Sequence, residues 1–455
     1  MDLAAVAEHL RALDIDVLTE DLEPYGHDET MNLHADAGIV VRPRSTPEIQ
    51  EILRVASRES IPVTPRGGGT GKAGACIPTE GGIVLSVERM NRIKEIDANN
   101  RYAVVEPGVI LHTLHEECEK QNLFYPIDMS SGGSCLMAGN VACDAGGERA
   151  VKYGTTRAQV TGCEAVLADG TVIRTGGKLA KDVAGYSLHH LLTGSEGTLG
   201  VLTEITLRLA PLPPYRRTLL AAFDSLDLAA EAALRVEATG YRPSAIELIE
   251  RAAVQLAQEM IGAKIPHADS AALLLVEIEA FREDDADAQI EGVAEALLEA
   301  GAEDVVLAKR EEVWGVRHSV AEAIKSLPAY SAVDSVVPRR RMPELVRAAH
   351  TIAEANGIEV VCFGHAGDGN IHIDFIRRDA NDPNWDTGIQ KAVRAVLEKC
   401  ISLGGSITAE HGVGLLRRDD MPLQFDEGTL DAMRALKRAW DPQGILNPGK
   451  VFPSP

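Results

Sequence analysis

The sequence predicts an α+β protein of two domains. Three observations carry that expectation. At 455 residues the chain is long enough for two domains, or three, each burying its own core. Up to about residue 212 the apolar segments are short and separated by glycine clusters. After Leu212-Pro213-Pro214 the texture changes to longer helical and strand-like runs in alternation, which places a boundary there, 1–213 against 214–455.

Composition narrows the class. A net charge of −23 argues against nucleic acid or an anionic membrane surface as the main partner. Arg339-Arg340-Arg341, Arg377-Arg378 and Arg417-Arg418 are local exceptions; such runs usually are solvated faces, and one could meet an anionic substrate or partner. None of the seven cysteines forms a CxxC pair, so zinc ribbons and iron–sulfur runs are unsupported and buried thiols in a reducing compartment are expected. Met1 to Arg11 shows no basic and apolar leader pattern, and no run approaches the roughly 20 apolar residues of a membrane span. The expected location is cytoplasmic, with a peripheral position at a membrane left open.

Taken in order, the N-terminal region reads as helix, then irregular chain. Ile39 to Val41 is a short strand. A helix follows, with Ser45 and Glu48 placed for a capping box, Pro47 in the first turn, and Ile49, Ile52, Leu53 and Ala56 on one face. Ile61-Pro62-Val63-Thr64-Pro65 then enters Arg66-Gly67-Gly68-Gly69-Thr70-Gly71-Lys72-Ala73-Gly74. Gly69 to Gly74 matches GxGxxG, yet a dinucleotide fold of the Rossmann kind needs a strand before it and a helix after it. Pro62 and Pro65 are expected to spoil the strand, and Pro78 to prevent the helix. What remains is a loop of backbone N–H groups able to approach a phosphate closely, or a flexible surface turn. Strands are expected near 82–87, 93–97, 103–106 and 201–209, and a helix near 110–122. Gly132-Gly133, Gly139-Asn140, Gly146-Gly147 and Gly194 to Gly200 border the apolar segments. Several such loops converging on one ligand suit a large dinucleotide.

In the second half, longer helices and strands in alternation are expected near 226–239, 252–260, 273–279, 286–301 and 311–326, with further helices over 343–356 and 386–403. The chemistry gathers at Phe363-Gly364-His365-Ala366-Gly367-Asp368-Gly369-Asn370-Ile371-His372. Val360 to Phe363 and Ile371 to Phe375 read as strands, and Asp368-Gly369 as a two-residue type I′ turn. That register sets His365 opposite His372, with Cβ atoms roughly 4.5–5.5 Å apart, near enough to share a divalent metal. Glu410-His411, ahead of Gly412 and Gly414, offers a further carboxylate and imidazole. Two histidines and a carboxylate make a three-ligand site with open positions, as a catalytic metal requires. Either half alone favours a glycine-rich hairpin with two surface histidines; the two together, each buffered by glycines, point to a site.

Together these motifs resemble the FAD-linked 2-hydroxyacid dehydrogenases and oxidases of the vanillyl-alcohol-oxidase type, which include D-lactate dehydrogenase, D-2-hydroxyglutarate dehydrogenase and the glycolate oxidase flavin subunit. The likeness runs from about Gly38 to Phe452 and rests on Pro65 to Gly71, Gly139-Asn140 with Gly146-Gly147, Gly194 to Gly200, Gly364 to His372, Glu410 to Gly414 and Asn447-Pro448-Gly449-Lys450. It implies a two-subdomain FAD-binding domain and an α+β substrate or cap domain, with about 406–455 packing back on the first. By the same resemblance Pro65, Arg66, Gly67, Gly68, Gly69, Thr70, Gly71, Pro126, Asp128, Ser131, Gly139, Asn140, Gly146, Gly147, Glu196, Gly197, Gly200 and Asn447 contact the FAD. Ile127 and Met129 depart from the Pro-Asp-Pro-Ser-Ser pattern of relatives. Thr70 stands where some relatives carry a flavin-linking histidine, so non-covalent FAD is implied.

The resemblance also assigns His365, His372 and Glu410 as ligands of a divalent metal, Zn or Mn, and His411 as the general base. Arg317 matches the arginine that grips the substrate carboxylate; an ordinary helix salt bridge is an equally good reading. Ala332 stands where hydroxyglutarate enzymes carry a lysine, which favours lactate, glycolate or a related acid. The implied reaction is metal-assisted oxidation of a D-2-hydroxy acid to the 2-oxo acid. Electrons would leave to a quinone, an electron-transfer flavoprotein or another subunit, and a homodimer is left open. D-2-hydroxyglutarate oxidation, or service as the flavin subunit of a larger oxidase, are the alternatives.

Overall fold

The computed structural model describes residues 3–453. Met1 and Asp2, part of the N-terminal reading, and Ser454 and Pro455, part of the second expected domain, lie outside the described residues. Contacts divide the chain into two compact units. The first comprises the chain up to Gly146, Gly154–Leu212 and the chain from Glu410; the second comprises Gly147–Tyr153 and Pro213–Ala409.

The first unit holds a four-stranded sheet in the order Val17–Leu18, Ile39–Val41, Ile83–Ser86, Val63–Arg66, with the last three strands parallel. Helix Thr46–Glu59 makes the crossover between the second and last of these. Its apolar spacing buries Ile49, Ile52, Leu53, Val55 and Ala56 against Ile39, Val41, Ile83 and Leu85. Each large side chain so buried contributes about 1.5–3 kcal/mol, far more than any cap. The expected capping box accordingly forms only in altered form. The Ser45 hydroxyl donates to Glu48 at 3.1 Å, and Glu48 accepts the Arg44 N–H at 2.9 Å.

One expectation is overturned here. The strand Val63–Arg66 forms in spite of Pro65, because it lies at the sheet's edge, where a missing N–H breaks no ladder. On its outer side only Val63 is bridged, by Leu446. No helix follows the glycine loop; the next regular element is Ile83–Ser86. The same unit holds a five-stranded antiparallel sheet in the order Ile93–Asp97, Tyr102–Val105, Val201–Arg208, Val160–Val166, Val172–Gly176. Helices Leu111–Glu119 and Met137–Cys143 bury Leu111, Leu114, Met137 and Val141 on it.

The second unit is a seven-stranded antiparallel sheet in the order Asp304–Ala308, Tyr215–Phe223, Ala272–Ala280, Ala245–Glu250, Glu359–His365, Asn370–Arg377, Ala329–Val336. Ala272–Ala280 is buried along its whole length, since helices cover both faces. Arg251–Ile261 and Arg310–Lys325 pack on one face with Leu220, Ile249, Leu275 and Phe363. Leu226–Ala238, Glu283–Glu299, Met342–Ala355 and Trp385–Ser402 form the other layer.

The hairpin register differs from the expected one. His365 pairs with Asn370, and His372 with Phe363. Asp368 does not take a positive φ, so the type I′ turn does not form. Instead the His365 carbonyl accepts the N–H groups of Asp368 and Gly369 at 3.2 and 3.1 Å, closing a four-residue loop with Gly369 at φ +90°. The slip is by an even step, so His365 and His372 keep to one face, as diagonal rather than opposed neighbours.

Candidate active-site residues and cofactor cleft

In the first unit the strand Val63–Arg66 delivers the glycine loop to the mouth of a cleft. A Cβ on Gly68 would stand 2.4 Å from the Ser134 carbonyl oxygen, and one on Gly67 3.2 Å from the Gly139 nitrogen. The backbone is thus packed too closely for side chains. Among the described residues, the N–H groups of Gly67, Gly68, Gly69 and Thr70 donate no hydrogen bond within the chain. Such donors suit a phosphate. Pro65, Arg66, Gly67, Gly139, Glu196, Gly197 and Gly200 line the cleft together with Cys76, Cys143, Leu192, Val201 and Leu202.

Polar groups of several expected cofactor contacts also bond within the chain. The Arg66 guanidinium donates to the carbonyls of Pro24 at 2.9 Å and His27 at 2.7 Å, acting as a strut for the N-terminal segment. Gly68, Gly69, Thr70 and Gly71 continue the same loop, and Pro126, Asp128, Ser131 and Asn140 belong to the same unit. Asp128 accepts the Met129 N–H, and the Ser131 carbonyl accepts those of Ser134 and Cys135. Gly147 belongs by its contacts to the second unit.

Two buried groups organise the rear of this unit. The Glu196 carboxylate accepts the N–H groups of Val413 at 2.8 Å and Gly414 at 2.7 Å, and burial pushes its pKa up. Gly412 and Gly414 have φ of +85° and +47°, and a Cβ on Gly414 would lie 2.1 Å from the Ala73 carbonyl oxygen. This fixes the loop that carries Glu410 and His411, whose Oε1 and Nε2 are 3.7 Å apart. A Cβ on Gly146 would stand 3.0 Å from a Glu410 carboxylate oxygen. The Asn447 amide donates to the carbonyls of Ala75 and Glu196, while its Oδ1 is buried with no partner. The orphaned Oδ1, the N–H donors of the glycine loop and the largely apolar lining of the cleft fit an FAD.

In the second unit a row of polar side chains crosses four adjacent strands. Glu247 pairs with His365 across the sheet, His365 is diagonal to His372, and His372 pairs with Asp334. Glu247 is fully buried and divides its carboxylate. Oε1 lies 2.7 Å from His365 Nδ1; Oε2 accepts Arg317 Nε at 2.8 Å and stands 2.7 Å from Nη2. The ring centroids of His365 and His372 are 5.5 Å apart, nearly perpendicular. Asp334 accepts the Asn370 amide, the Thr408 hydroxyl and the Ala409 N–H, and its Oδ1 stands 3.8 Å from His372 Nδ1. Arg317 is therefore paired, but with a strand carboxylate rather than a neighbour on its own helix, and its guanidinium also lies over Phe363.

Farther along this face, Glu148 accepts from His318 at 2.8 Å. Burial raises its pKa, but His318, Arg149 and Arg317 outweigh that and hold it below the usual range. Glu279 accepts from Tyr153 at 2.8 Å, fastening segment 147–153. Sequence reasoning missed Glu247, Glu148 and the orienting part of Asp334. A signal existed for Glu247. In Ala245-Ile246-Glu247-Leu248-Ile249 it is an acid flanked on both sides by apolar strand residues, where an unpaired charge is costly.

With this geometry described, the comparisons with known proteins can be stated. Residues 212–451 match the family of FAD linked oxidases, C-terminal domain, and residues 37–176 match the FAD binding domain family. The chain is 39% identical to the glycolate oxidase subunit GlcD of Bacillus subtilis, covering 94% of this chain and 92% of that one. It is 37% identical to a D-lactate dehydrogenase of Archaeoglobus fulgidus, covering 94% and 95%. It is 31% identical to a D-2-hydroxyglutarate dehydrogenase of Xanthomonas citri, covering 99% and 96%. Among solved structures, p-cresol methylhydroxylase superposes with a TM-score of 0.81 at 18% identity, covering 99% and 96%, which shows a vanillyl-alcohol-oxidase-type fold. No described helix is long and apolar enough to cross a membrane. An FAD-binding domain joined to an FAD-linked oxidase C-terminal domain, over nearly the full length of such relatives, makes this chain a member of the FAD-linked oxidase family and an FAD-linked oxidoreductase.

Proposed function

We propose that the protein oxidises a small D-2-hydroxy acid, of lactate or glycolate size, to the 2-oxo acid. The observation that carries this reading is the Glu247-centred row. Glu247 sets the His365 imidazole and the Arg317 guanidinium, and Asp334 stands beside the His372 imidazole, on one sheet face, a group suited to a carboxylate with a neighbouring hydroxyl. With Nδ1–H donated to Glu247, His365 presents the Nε2 lone pair, the arrangement usual for a metal-bound histidine. His372 has Asp334 beside its Nδ1. The two imidazoles suit a divalent ion such as Zn or Mn, for which the family resemblance adds Glu410 as the third ligand beside His365 and His372. Such an ion would lower the pKa of the substrate hydroxyl.

Arg317 holds the substrate carboxylate through Nη1 and Nη2, since its Nε edge is already taken by Glu247. His411 accepts the hydroxyl proton at an imidazole nitrogen, the side-chain type most often used for such a transfer. FAD, when bound, supplies the acceptor for the hydride that leaves C2. With Thr70 in the loop the flavin is held without a covalent link. Electrons pass on to a quinone, an electron-transfer flavoprotein or a partner subunit, the last in keeping with a relative named as an oxidase subunit.

A dicarboxylate such as 2-hydroxyglutarate is disfavoured. Ala332 pairs across the sheet with buried Asp374, so an acid stands where a second substrate carboxylate would need a cation. The test is anaerobic bleaching of the flavin by a panel of D- and L-2-hydroxy acids. D-lactate or D-glycerate, or the achiral glycolate, should bleach it, and prior treatment with a chelator should stop bleaching while flavin stays bound. Bleaching by D-2-hydroxyglutarate alone, or by none of the acids, overturns the reading.

A further inference from the structure

On the opposite face of the seven-stranded sheet, three side chains from three elements meet. Glu250 ends the strand Ala245–Glu250, Cys362 lies in the neighbouring strand Glu359–His365, and His350 comes from the covering helix Met342–Ala355. Cys362 alternates with Phe363, so it points away from the His365 row. One ligand atom from each of the three lies within 4.8 Å of the other two. His350 Nε2 is 3.4 Å from Glu250 Oε1. That is long for a charged hydrogen bond, and close to the edge of a tetrahedron about a zinc ion, which is about 3.3 Å for bonds of about 2.0–2.1 Å. Glu250 Oε2 accepts the Cys362 N–H at 2.8 Å, which fixes the carboxylate beside the thiol.

The thiol is the unusual member. Cys362 has no exposed surface, and no hydrogen bond from its Sγ occurs among the described contacts. By contrast the buried Cys400 thiol sits 3.3 and 3.2 Å from the Val336 and Ser406 carbonyl oxygens. A buried thiol held against a carboxylate is pushed well away from ionisation, by burial first and by Glu250 next. A bound cation reverses that balance, since a coordinating thiol is deprotonated outright. His350 leaves a route in, because its side chain is 41% exposed.

We propose that Glu250, His350 and Cys362 form a second metal site, selective for a thiophilic divalent ion such as Zn²⁺, separate from the hydroxy-acid site and clamping helix Met342–Ala355 to the sheet. On binding, one proton leaves the Cys362 sulfur and no electron moves. A Cys/His/Glu set of this kind favours zinc or cadmium over magnesium or manganese.

The experiment uses the flavin-loaded full chain, dialysed against Zn²⁺ or Cd²⁺ and then against metal-free buffer. Metal content is measured by mass spectrometry, and the cadmium form is examined by X-ray absorption for a metal–sulfur bond. The wild type should show sulfur ligation. Cys362→Ala and His350→Ala should each lose one metal equivalent while keeping flavin and hydroxy-acid turnover. His350→Ala alters a half-exposed helix position and keeps the test decisive if Cys362→Ala folds poorly. Unchanged metal content in His350→Ala, or no metal–sulfur bond in the wild type, overturns the proposal. Because the readout is sulfur ligation and not turnover, its failure is distinct from failure of the hydroxy-acid reading.

Discussion

In the cofactor cleft, Gly67 and Gly68 leave no room for a side chain, and the useful donors are backbone N–H groups. In the polar row of the second sheet the backbone is committed to the ladder, and everything useful is a side chain held by another side chain, with Glu247 as the hinge of the set. The first arrangement fails when atoms are added. The second fails when charge is removed. Variants can therefore be sorted by kind before they are made.

The largest effect should come from adding atoms to the cleft. Gly68→Val would force methyl groups into the Ser134 carbonyl, so it should purify without flavin and without turnover, while a far-ultraviolet spectrum close to wild type shows that the fold survives. Full flavin occupancy in that variant would mean the loop is not the phosphate cradle. Next comes the proton acceptor. His411→Asn should slow flavin bleaching at saturating substrate by about 10²–10⁴ with flavin and metal retained. Bleaching at the wild-type rate would remove His411 from the mechanism.

Glu247→Gln offers a finer test. The amide can still accept a hydrogen bond, but it cannot serve His365 and Arg317 as an anion does. Metal affinity should fall about 10–100-fold, with turnover recovered at higher metal concentration. Turnover lost without such rescue would assign Glu247 to the fold alone.

The smallest effect tests an exception to the contrast, a charged side chain inside the glycine-rich unit. Lys450 is 3% exposed, and burial lowers its pKa from 10.5 to about 8. Between about pH 8 and 10.5 the unfolded chain holds more protons there than the folded one, so this residue's penalty is full below pH 8 and fades as pH rises. Lys450→Met should raise the unfolding free energy measured in urea below pH 8, by on the order of 1–3 kcal/mol, and the gain should shrink toward pH 10.5. A difference independent of pH would show that the ammonium is not the cause.

The contrast also explains what was legible in the sequence. Glycine loops announce themselves, because positive φ and close approach select one residue type, as at Gly68, Gly69, Gly197, Gly412 and Gly414. The α+β class and most helices followed from apolar periodicity. The hairpin register did not, because Asp-Gly suits several loop geometries and local rules cannot see that a Cβ on Gly369 would meet the Val337 carbonyl at 2.3 Å. The strand at Val63–Arg66 was misread because being at an edge is a tertiary fact. Glu247 was passed over because an acid in a strand has meaning only once its cross-strand neighbours are known.

Glu196 has a consequence for anyone who surveys this chain by saturation mutagenesis. It lines the cleft, and it also holds the Val413 and Gly414 amides behind His411. Substitutions there will register as lost colour and as lost turnover together, and their epistasis with His411 variants will be strong. A ranking of positions by fitness alone would place Glu196 beside His411, the proposed proton acceptor, although what it supplies is the seat on which the His411 loop rests.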